Sequence, residues 1–261
     1  MRLSSLPKAT RATLRGIVLA VSLLEVLSRI AFLRIKRGKA LSLSDRAMWL
    51  HQACGIILRR MSMEVSVSGS IPQHGLVVSN HLSHLDVLLY AAVTPCVFVS
   101  KSEVLAWPMF GILARCGGTI FVDRGRVHGV NHPAHQIAEV LRRDIPVILF
   151  PEGTSSDGSA VLPFRSALFE PAIVTHSSIR CAAVGYSASD CVEADLCYYG
   201  EITFFPHLLD VLARKRVGGT IVFGEEIHAD DRKAAANRSW GEVVAMRKEM
   251  KRVPISENEF A

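Results

Sequence analysis

A histidine and an aspartate five residues apart, His81 and Asp86, are the first residues in this sequence that could do chemistry together. An imidazole whose Nδ1–H is held by a carboxylate can use Nε2 as a base toward a hydroxyl group. On one ideal helix the two side chains would point about 140° apart and could not meet. They can meet if the apolar strand at residues 75–79 ends at Asn80 and the chain turns before a helix begins. We expect Asn80 or Ser83 to cap that helix.

A second segment offers an acid, a flexible glycine and a hydroxyl group at the end of another apolar run. Glu152, Gly153 and Thr154 follow residues 146–150, which have the composition of a buried strand. Glu152 could accept a hydrogen bond from a substrate hydroxyl or from a backbone amide, and Gly153 would let either group approach closely. We expect this turn to lie within reach of His81.

His84 is the rival histidine, but Leu89 rather than a carboxylate lies five residues beyond it. We therefore interpret His84 as a partly exposed residue at the start of the helix. Clustered histidines and aspartates also occur in metal-dependent hydrolases, so that class of enzyme is an alternative. Its candidate ligands are His81, His84, Asp86, His128, His132 and His135. We expect no metal site, because His132 and His135 lie in a polar stretch without strand-end geometry.

Two further motifs lie between these segments. Lys101 belongs to the string Ser-Lys-Ser-Glu-Val at 100–104, and Phe121 and Arg124 belong to a Gly-x-x-Phe-x-x-Arg string at 118–124. Lysine and arginine supply the positive charge that a phosphate or another anionic headgroup needs. Together and in this order, the four motifs resemble those of the 1-acylglycerol-3-phosphate acyltransferase family over roughly residues 65–190.

The resemblance implies an enzyme that moves a fatty acyl group from acyl-CoA or acyl carrier protein to the free hydroxyl of a lysolipid, in membrane lipid synthesis. The acyl donor is a co-substrate, and no cofactor is expected. His81 is implied as the general base and Asp86 as the residue that orients it. Arg124 is implied to bind the acceptor's phosphate, and the turn at 152–154 to position the acceptor. The implied substrate-binding residues are Asn80, Lys101, Phe121, Arg124, Glu152, Gly153 and Thr154.

Two departures from the family pattern bear on the acceptor. The third motif often continues Glu-Gly-Thr-Arg, whereas Ser155 follows Thr154 here, and Arg165 is a candidate replacement for the missing cation. The fourth motif is usually an apolar strand with a proline, and residues 182–186 have none. The Glu-Gly-Thr-Ser-Ser-Asp-Gly string, with residues 199–208 downstream, is similar to bacterial relatives that include lyso-ornithine lipid acyltransferases.

The net positive charge of the chain comes from its N-terminal arm. The formal net charge is +6, but residues 1–40 hold nine lysines or arginines against one acid, so the rest of the chain is slightly negative. A nucleic-acid-binding domain carries such charge on its folded body. A basic arm that is also apolar favours an anionic lipid surface, and a lipid-binding module without enzymatic activity is a third interpretation. Six cysteines without a CxxC pair indicate free thiols in a reducing compartment.

The arm itself predicts a membrane-associated helix over residues 14–35. Its longest uncharged run has nine residues, fewer than the roughly 20 of a spanning helix. Six polar residues fall within an arc of about 80°: Arg11, Arg15, Ser22, Glu25, Arg29 and Lys36. We predict a helix in the headgroup boundary, on the cytoplasmic face of the cell membrane, with this stripe toward water. A helix packed on the domain with its stripe outward, and a true span, are the alternatives.

The rest of the chain alternates strand-like and helix-like segments. Strands are predicted at 64–68, 75–79, 96–99, 119–122, 146–150, 181–186 and 220–223. Helices are predicted at 45–61, with Ser42 or Ser44 as cap, and at 85–92, 108–116, 135–143, 164–174 and 234–250. Alternation of this kind predicts an α/β fold with a mixed, mostly parallel sheet flanked by helices. We divide the chain into membrane-associated helices at 1–61 and an acyltransferase domain at 62–261.

Overall fold

The computed structural model describes residues 6–38, 40–107, 109–122 and 133–252. The helices are Lys8–Arg37 (α1), Leu43–Met61 (α2), Leu85–Val93 (α3), Phe110–Gly117 (α4), Pro133–Leu141 (α5), Glu170–Val174 (α6), Phe204–Ala213 (α7) and Arg232–Arg252 (α8). The strands are Glu64–Ser68 (β1), Leu76–Ser79 (β2), Val97–Lys101 (β3), Ile120–Val122 (β4), Val147–Leu149 (β5), Ile179–Ser187 (β6) and Gly218–Ile227 (β7).

The strands form one seven-stranded sheet in the order β1-β7-β6-β2-β5-β3-β4. Every neighbouring pair is parallel except β6 and β7, which are antiparallel. The predicted α/β fold with a mixed, mostly parallel sheet is confirmed. Parallel strands need crossover connections, which is why helices alternate with them along most of the chain.

The core lies on both faces of the sheet because successive side chains on a strand point to opposite sides. Val77 on β2 and Ile148 on β5 are fully buried on the face covered by α2 and α3. Leu76 and Val147, one position earlier on the same strands, are fully buried on the face covered by α5, α6 and α8. Burial on both faces explains why these strands appear in the sequence as continuous apolar runs.

Two helical predictions differ from the structure. The predicted helix at 164–174 is divided into a 3-10 turn at Ser166–Phe169 and the short helix α6, where Pro171 occupies the first turn. Proline lacks an N–H and suits a helix start rather than a helix interior. Helix α7 was not predicted, and the family resemblance alone drew attention to its residues.

Helix α2 begins as predicted and joins the core of the α/β domain. Ser42 and Asp45 form a reciprocal capping box at its start. Trp49 Nε1 donates to the carbonyl oxygen of Val26 on α1 at 2.9 Å, and Leu50 and Leu58 belong to the same buried cluster as Val77. The first two helices thus share a core with the sheet, and the division at residue 61 stays a prediction. All six cysteines are free thiols in the structure.

Helix α1 forms, but the predicted direction of its polar stripe is wrong for the first half of the helix. Arg11 and Arg15 are 2% and 5% exposed and face the protein, and Ser22 is fully buried. Arg11 Nε donates to the carbonyl oxygen of Ala213 at 2.7 Å, and Arg15 Nη1 donates to those of Leu212 and Arg214 at 3.2 and 2.5 Å. These carbonyls end α7, and charged donors at a helix C-terminus satisfy groups that the helix leaves unpaired.

Another side of α1, about 100° around the helix from the polar stripe, is apolar and faces away from the protein. Six side chains on it are between 40% and 79% exposed: Leu14, Ile17, Val21, Leu24, Phe32 and Ile35. They fall within an arc of about 80°. Among the described helices, α1 is long and apolar enough to cross a membrane, by length and composition alone.

Candidate active site

Four adjacent parallel strands bring the sequence motifs to one edge of the sheet. His81 follows β2, Glu152 follows β5, Lys101 ends β3 and Phe121 lies in β4, and these strands are neighbours in the order β2-β5-β3-β4. The carboxyl ends of parallel strands share one edge, which is where open α/β sheets bind ligands. Motifs that lie 70 residues apart in sequence are therefore neighbours in space.

His81 and Asp86 meet as predicted. His81 Nδ1 lies 2.6 Å from Asp86 Oδ2, and the two side chains are 23% and 0% exposed. The two side chains can meet because the chain turns after Asn80 and α3 begins only at Leu85. No described residue hydrogen-bonds to His81 Nε2, and the exposed fraction of the ring leaves this nitrogen able to meet a substrate. A histidine held in this way has the geometry of a general base.

Asp86 is fixed by three further hydrogen bonds. Its Oδ2 accepts from the backbone N–H groups of Leu82 and Ser83 at 2.8 and 3.2 Å, and its Oδ1 accepts from the Tyr186 hydroxyl. The carboxylate thus satisfies donors at the start of α3 while it holds His81. The prediction that Asn80 or Ser83 caps this helix is wrong: His84 is the capping residue, without a side-chain cap bond. Asp86, in the first turn, satisfies the nearby amides instead.

The turn that follows β5 holds His81 from its other side. The Phe150 ring stacks on the imidazole with centroids 4.2 Å apart and planes 15° from parallel. Glu152 Oε1 accepts from the His81 backbone N–H at 3.0 Å, and the Ser156 N–H donates to the His81 carbonyl oxygen at 3.0 Å. Both backbone groups of His81 are therefore bound to the segment 152–156.

Glu152 uses its carboxylate within the protein. The side chain is 3% exposed, and Oε2 accepts from the Leu162 backbone N–H at 3.3 Å. The predicted hydrogen bond from a backbone amide to Glu152 is present, and the contact with a substrate hydroxyl stays a prediction. Burial raises the pKa of Glu152 to about 7, although the hydrogen bonds from the His81 and Leu162 amides act in the opposite direction.

Gly153 and Arg165 form a close contact beside this turn. Gly153 has a φ of +70°, which favours glycine, and a Cβ built on it would lie 2.9 Å from Arg165 Cζ. The exposed guanidinium of Arg165 thus lies against the Glu-Gly-Thr turn, and the Arg165 backbone N–H donates to the Pro151 carbonyl oxygen at 3.0 Å. Thr154 is exposed at the tip of the turn.

The other predicted site residues differ in their burial, and one of them is not described by the structure. Asn80 is 1% exposed, and its amide group bonds in both directions with the backbone of Val184, at 3.0 and 2.9 Å. It therefore ties β2 to β6, and its role in substrate binding stays a prediction. Lys101 and Phe121 are half-buried on β3 and β4. Arg124 lies outside the described residues.

His84 belongs to an aromatic cluster beside the site. Its ring contacts those of Tyr198, Phe204 and His207, with centroids 5.6, 4.9 and 5.2 Å away. Burial, and then the neighbouring His207, lower the pKa of His84 to about 3, so the ring is neutral. It lies immediately before α3, at the predicted helix start. The described residues contain no group of three or more potential metal ligands, and His128 and His132 lie outside them.

Three further residues of the site were not identified from the sequence: Tyr186, Glu193 and Arg247. Tyr186 on β6 bonds to Asp86, and its own backbone N–H donates to Glu193 Oε1 at 2.9 Å. Arg247 on α8 pairs with Glu193 at 2.6 Å and is 5% exposed. Absence of the expected proline at 182–186 was the only hint, since it marked the strand as atypical.

Comparison with known proteins agrees with this arrangement. Residues 62–185 match the family model described as Acyltransferase. The chain is 31% identical over 250 residues to the lyso-ornithine lipid O-acyltransferase of Brucella abortus, covering 88% of this chain and 90% of that protein. It is 32% identical over 133 residues to the 1-acyl-sn-glycerol-3-phosphate acyltransferase of Neisseria meningitidis, covering 50% of this chain and 52% of that protein.

The fold has a solved counterpart. The crystal structure of the 1-acyl-sn-glycerophosphate acyltransferase from Thermotoga maritima superimposes with a TM-score of 0.65 at 18% identity, covering 92% of this chain and 98% of that one. At this identity the likeness concerns the fold alone. The match to the Brucella abortus protein extends over nearly the whole of both chains. This chain therefore belongs to the acyltransferase family, and it is an acyltransferase.

Proposed function

We propose that this enzyme acylates the free hydroxyl group of a lysolipid, with acyl-CoA or acyl carrier protein as the acyl donor. His81 Nε2 removes the proton from the lysolipid hydroxyl, and the oxygen attacks the thioester carbonyl carbon. Collapse of the tetrahedral intermediate breaks the carbon–sulfur bond, and the protonated His81 returns its proton to the leaving thiolate. Because both substrates are held together, no acyl-enzyme is needed.

The 2.6 Å contact between His81 and Asp86 carries this proposal. A carboxylate at Nδ1 fixes the tautomer in which Nε2 can accept a proton, and it stabilises the imidazolium that follows. Phe150 and the 152–156 turn support the role, because they restrict the ring to one orientation. General-base assistance of this kind contributes roughly 10²–10⁴-fold to a rate.

The acceptor is proposed to carry in its headgroup an anionic group, a carboxylate or a phosphate, that Arg165 recognises. In this chain Ser155 stands where the family often has an arginine, and the Arg165 guanidinium lies against Gly153 of the same turn. A guanidinium suits both a carboxylate and a phosphate, since its planar fork can donate two hydrogen bonds to either group. The ornithine carboxylate of a lyso-ornithine lipid and the phosphate of 1-acylglycerol 3-phosphate are the two candidates, with Lys101 and Arg124 as further predicted contacts.

We further propose that the enzyme works at the cytoplasmic face of the cell membrane, with the outer side of α1 in the bilayer. The exposed arc from Leu14 to Ile35 supports this position, because apolar side chains of this size gain about 1.5–3 kcal/mol each when they leave water. The acceptor is a lipid, so this location brings the enzyme to its substrate.

The proposal is tested with purified protein in mixed micelles and a labelled acyl donor. Acyl-CoA and acyl carrier protein are each combined with lyso-ornithine lipid, 1-acylglycerol 3-phosphate and a neutral lysolipid. We expect a labelled diacyl product from lyso-ornithine lipid or from 1-acylglycerol 3-phosphate, and no product with His81→Ala. His228→Ala, at a histidine whose side chain is 73% exposed, is the matched control and should retain full activity.

The acceptor contact is tested by Arg165→Gln, with Arg142→Gln as an exposed control of equal charge. We expect a loss of roughly tenfold or more in kcat/KM for that acceptor with Arg165→Gln alone.

Full turnover by the His81→Ala variant would reject the role of His81 as the base. Release of free fatty acid without transfer, together with bound zinc, would favour the metal-dependent hydrolase, and lipid binding without turnover would favour the non-enzymatic module.

A further inference from the structure

A cationic cavity lies away from the proposed active site, between the end of α1, the start of α2 and α4. Its volume is about 420 Å³, and the arginines Arg34, Arg46 and Arg115 line it together with the apolar Leu41, Leu105 and Ile112. None of its lining residues belongs to the cluster around His81. Three positive side chains from three different helices thus converge on one concave surface.

Arg46 gives this cavity a fixed charge. Its Nε donates to the Cys116 carbonyl oxygen at 3.0 Å, and its Nη2 donates to that of Arg115, so the guanidinium is held at the C-terminal end of α4. Burial, followed by repulsion from Arg34, lowers the pKa of Arg46. In the part of the chain that the structure describes, none of the three arginines forms an ion pair with a carboxylate. The cavity therefore concentrates positive charge that an anion could neutralise.

The surroundings of the cavity are those that an amphiphile requires. Ile112, one of the walls, is 55% exposed, and Ile35, next to Arg34 on α1, is 79% exposed. Arg34 lies about 120° around the helix from the centre of the exposed apolar arc. If that arc rests in the acyl layer, Arg34 lies at the depth of the lipid phosphates, since interfacial helices sink only about 5–10 Å into this boundary.

We propose that this cavity binds the phosphate-bearing headgroup of an anionic phospholipid that is not the acyl acceptor. The headgroup phosphate lies among Arg34, Arg46 and Arg115, and the acyl chains run past Ile112 into the bilayer. Such a lipid fixes the rotation of α1 at the membrane surface. This site depends on the proposed membrane position of α1, but it is independent of the role of His81.

The probe is dihexanoyl phosphatidylglycerol below its micellar concentration, titrated calorimetrically into the full chain in neutral detergent. We expect one saturable site per chain, and an affinity at least about tenfold lower in Arg34→Gln/Arg115→Gln. Arg46 is left intact because it caps α4. Lys233→Gln/Lys248→Gln, which removes the same charge from exposed positions on α8, is the matched control and should bind like the wild type. Thermal melting of each variant checks that it folds.

Four outcomes would overturn the assignment. Equal weakening by the α8 control would indicate diffuse attraction rather than a site. Equally tight binding of dihexanoyl phosphatidylcholine or of inorganic phosphate would remove the requirement for an anionic lipid. Binding of coenzyme A that the Arg34/Arg115 variant abolishes would make the cavity part of the donor site. Weakening by Arg165→Gln would locate the lipid in the acceptor site, whereas failed acyl transfer with intact binding would affect only the proposed function.

Discussion

The carboxyl edge of the sheet and helix α1 both bury charged side chains against backbone groups, but the two regions expose different kinds of side chain. At the sheet edge, the buried carboxylate of Asp86 accepts backbone N–H groups and holds the ring of His81 at the surface. On α1, the buried guanidinium groups of Arg11 and Arg15 donate to backbone carbonyls that end α7. One region thereby presents a polar group to a substrate, and the other presents aliphatic side chains.

The contrast shows that a polar side chain in a sequence indicates a surface position only when the protein interior offers it no hydrogen-bonding or ionic partner. A buried charge is tolerated when hydrogen bonds and opposite charge replace water. Arg11 has such partners, because two carbonyls accept from it and Asp190 lies 3.6 Å away. The apolar side of α1 is left outward as a consequence, and a bilayer is the environment that suits it.

The largest effect is expected at the sheet edge, from Asp86→Asn. Loss of the carboxylate leaves His81 without its orienting charge, and kcat should fall by roughly 10²–10⁴-fold in the acyl transfer assay. Asp144→Asn is the control, since Asp144 is exposed and its φ of +53° suits asparagine. Normal turnover by Asp86→Asn would mean that the carboxylate only supports the loop.

On α1, Arg11→Met should destabilise the protein by about 2–4 kcal/mol, because hydrogen bonds from charged groups contribute roughly 1.5–3 kcal/mol each. Arg29→Met is the control on the same stripe: its side chain is 56% exposed and pairs with Glu25, so its effect should stay within about 1 kcal/mol. Urea unfolding in detergent measures both. Equal losses of stability in the two variants would mean that both arginines have equivalent surroundings, and this would contradict the inward direction of the stripe.

The apolar side of α1 is tested by Val21→Asp/Leu24→Asp. These side chains are 56% and 65% exposed, so the stability in detergent should change little, whereas binding to vesicles should weaken by roughly 30-fold or more. Val174→Asp/Val192→Asp, at positions 58% and 68% exposed elsewhere, is the control. Unchanged sedimentation of the α1 variant with vesicles would show that this side does not meet the membrane.

Glu152 is expected to make stability pH-dependent. Its pKa of about 7 in the folded protein exceeds the ordinary value of 4.5, so the folded state holds this proton more tightly than the unfolded state. The resulting stability is complete below about pH 4.5 and is lost as the pH rises to 7, by an amount on the order of 3 kcal/mol. Urea midpoints at pH 5 and pH 8 should therefore differ less for Glu152→Gln than for the wild type. Parallel shifts in both proteins would assign the dependence to other groups.

Tyr186→Phe should have the smallest effect, a fall of about 3- to 10-fold in kcat with KM unchanged, since one hydrogen bond to a charged group is removed. The change reports on the positioning of Asp86, because the Tyr186 hydroxyl is remote from solvent and bonds to this carboxylate. Tyr199→Phe, at a tyrosine 38% exposed, is the control. A rise in KM alone would point to substrate binding instead.

The sequence predicted the residues and strands of the site better than the contacts between them. His81 and Asp86 could be paired because their spacing excluded a common helix, and six of the seven strands were recognisable as apolar runs, whereas β1 was recognisable from its alternating pattern. Tyr186 could not be assigned, since a tyrosine in a buried strand has many possible partners. Its hydrogen bond with Asp86 joins residues 100 positions apart, and only the order of the strands decides which residues meet.

Helix α1 shows the limit of periodicity most clearly. The 3.6-residue period determined that Arg11, Arg15 and Ser22 share one side and that the apolar residues from Leu14 to Ile35 that form the exposed arc share another. It could not determine which side faces the protein, because that depends on whether the packing surface offers acceptors. The carbonyl groups at the end of α7, which accept hydrogen bonds from Arg11 and Arg15, determined that this side of α1 faces the protein. The sequence by itself thus determined the two sides of the helix and the residues that could do chemistry, and tertiary structure decided their neighbours.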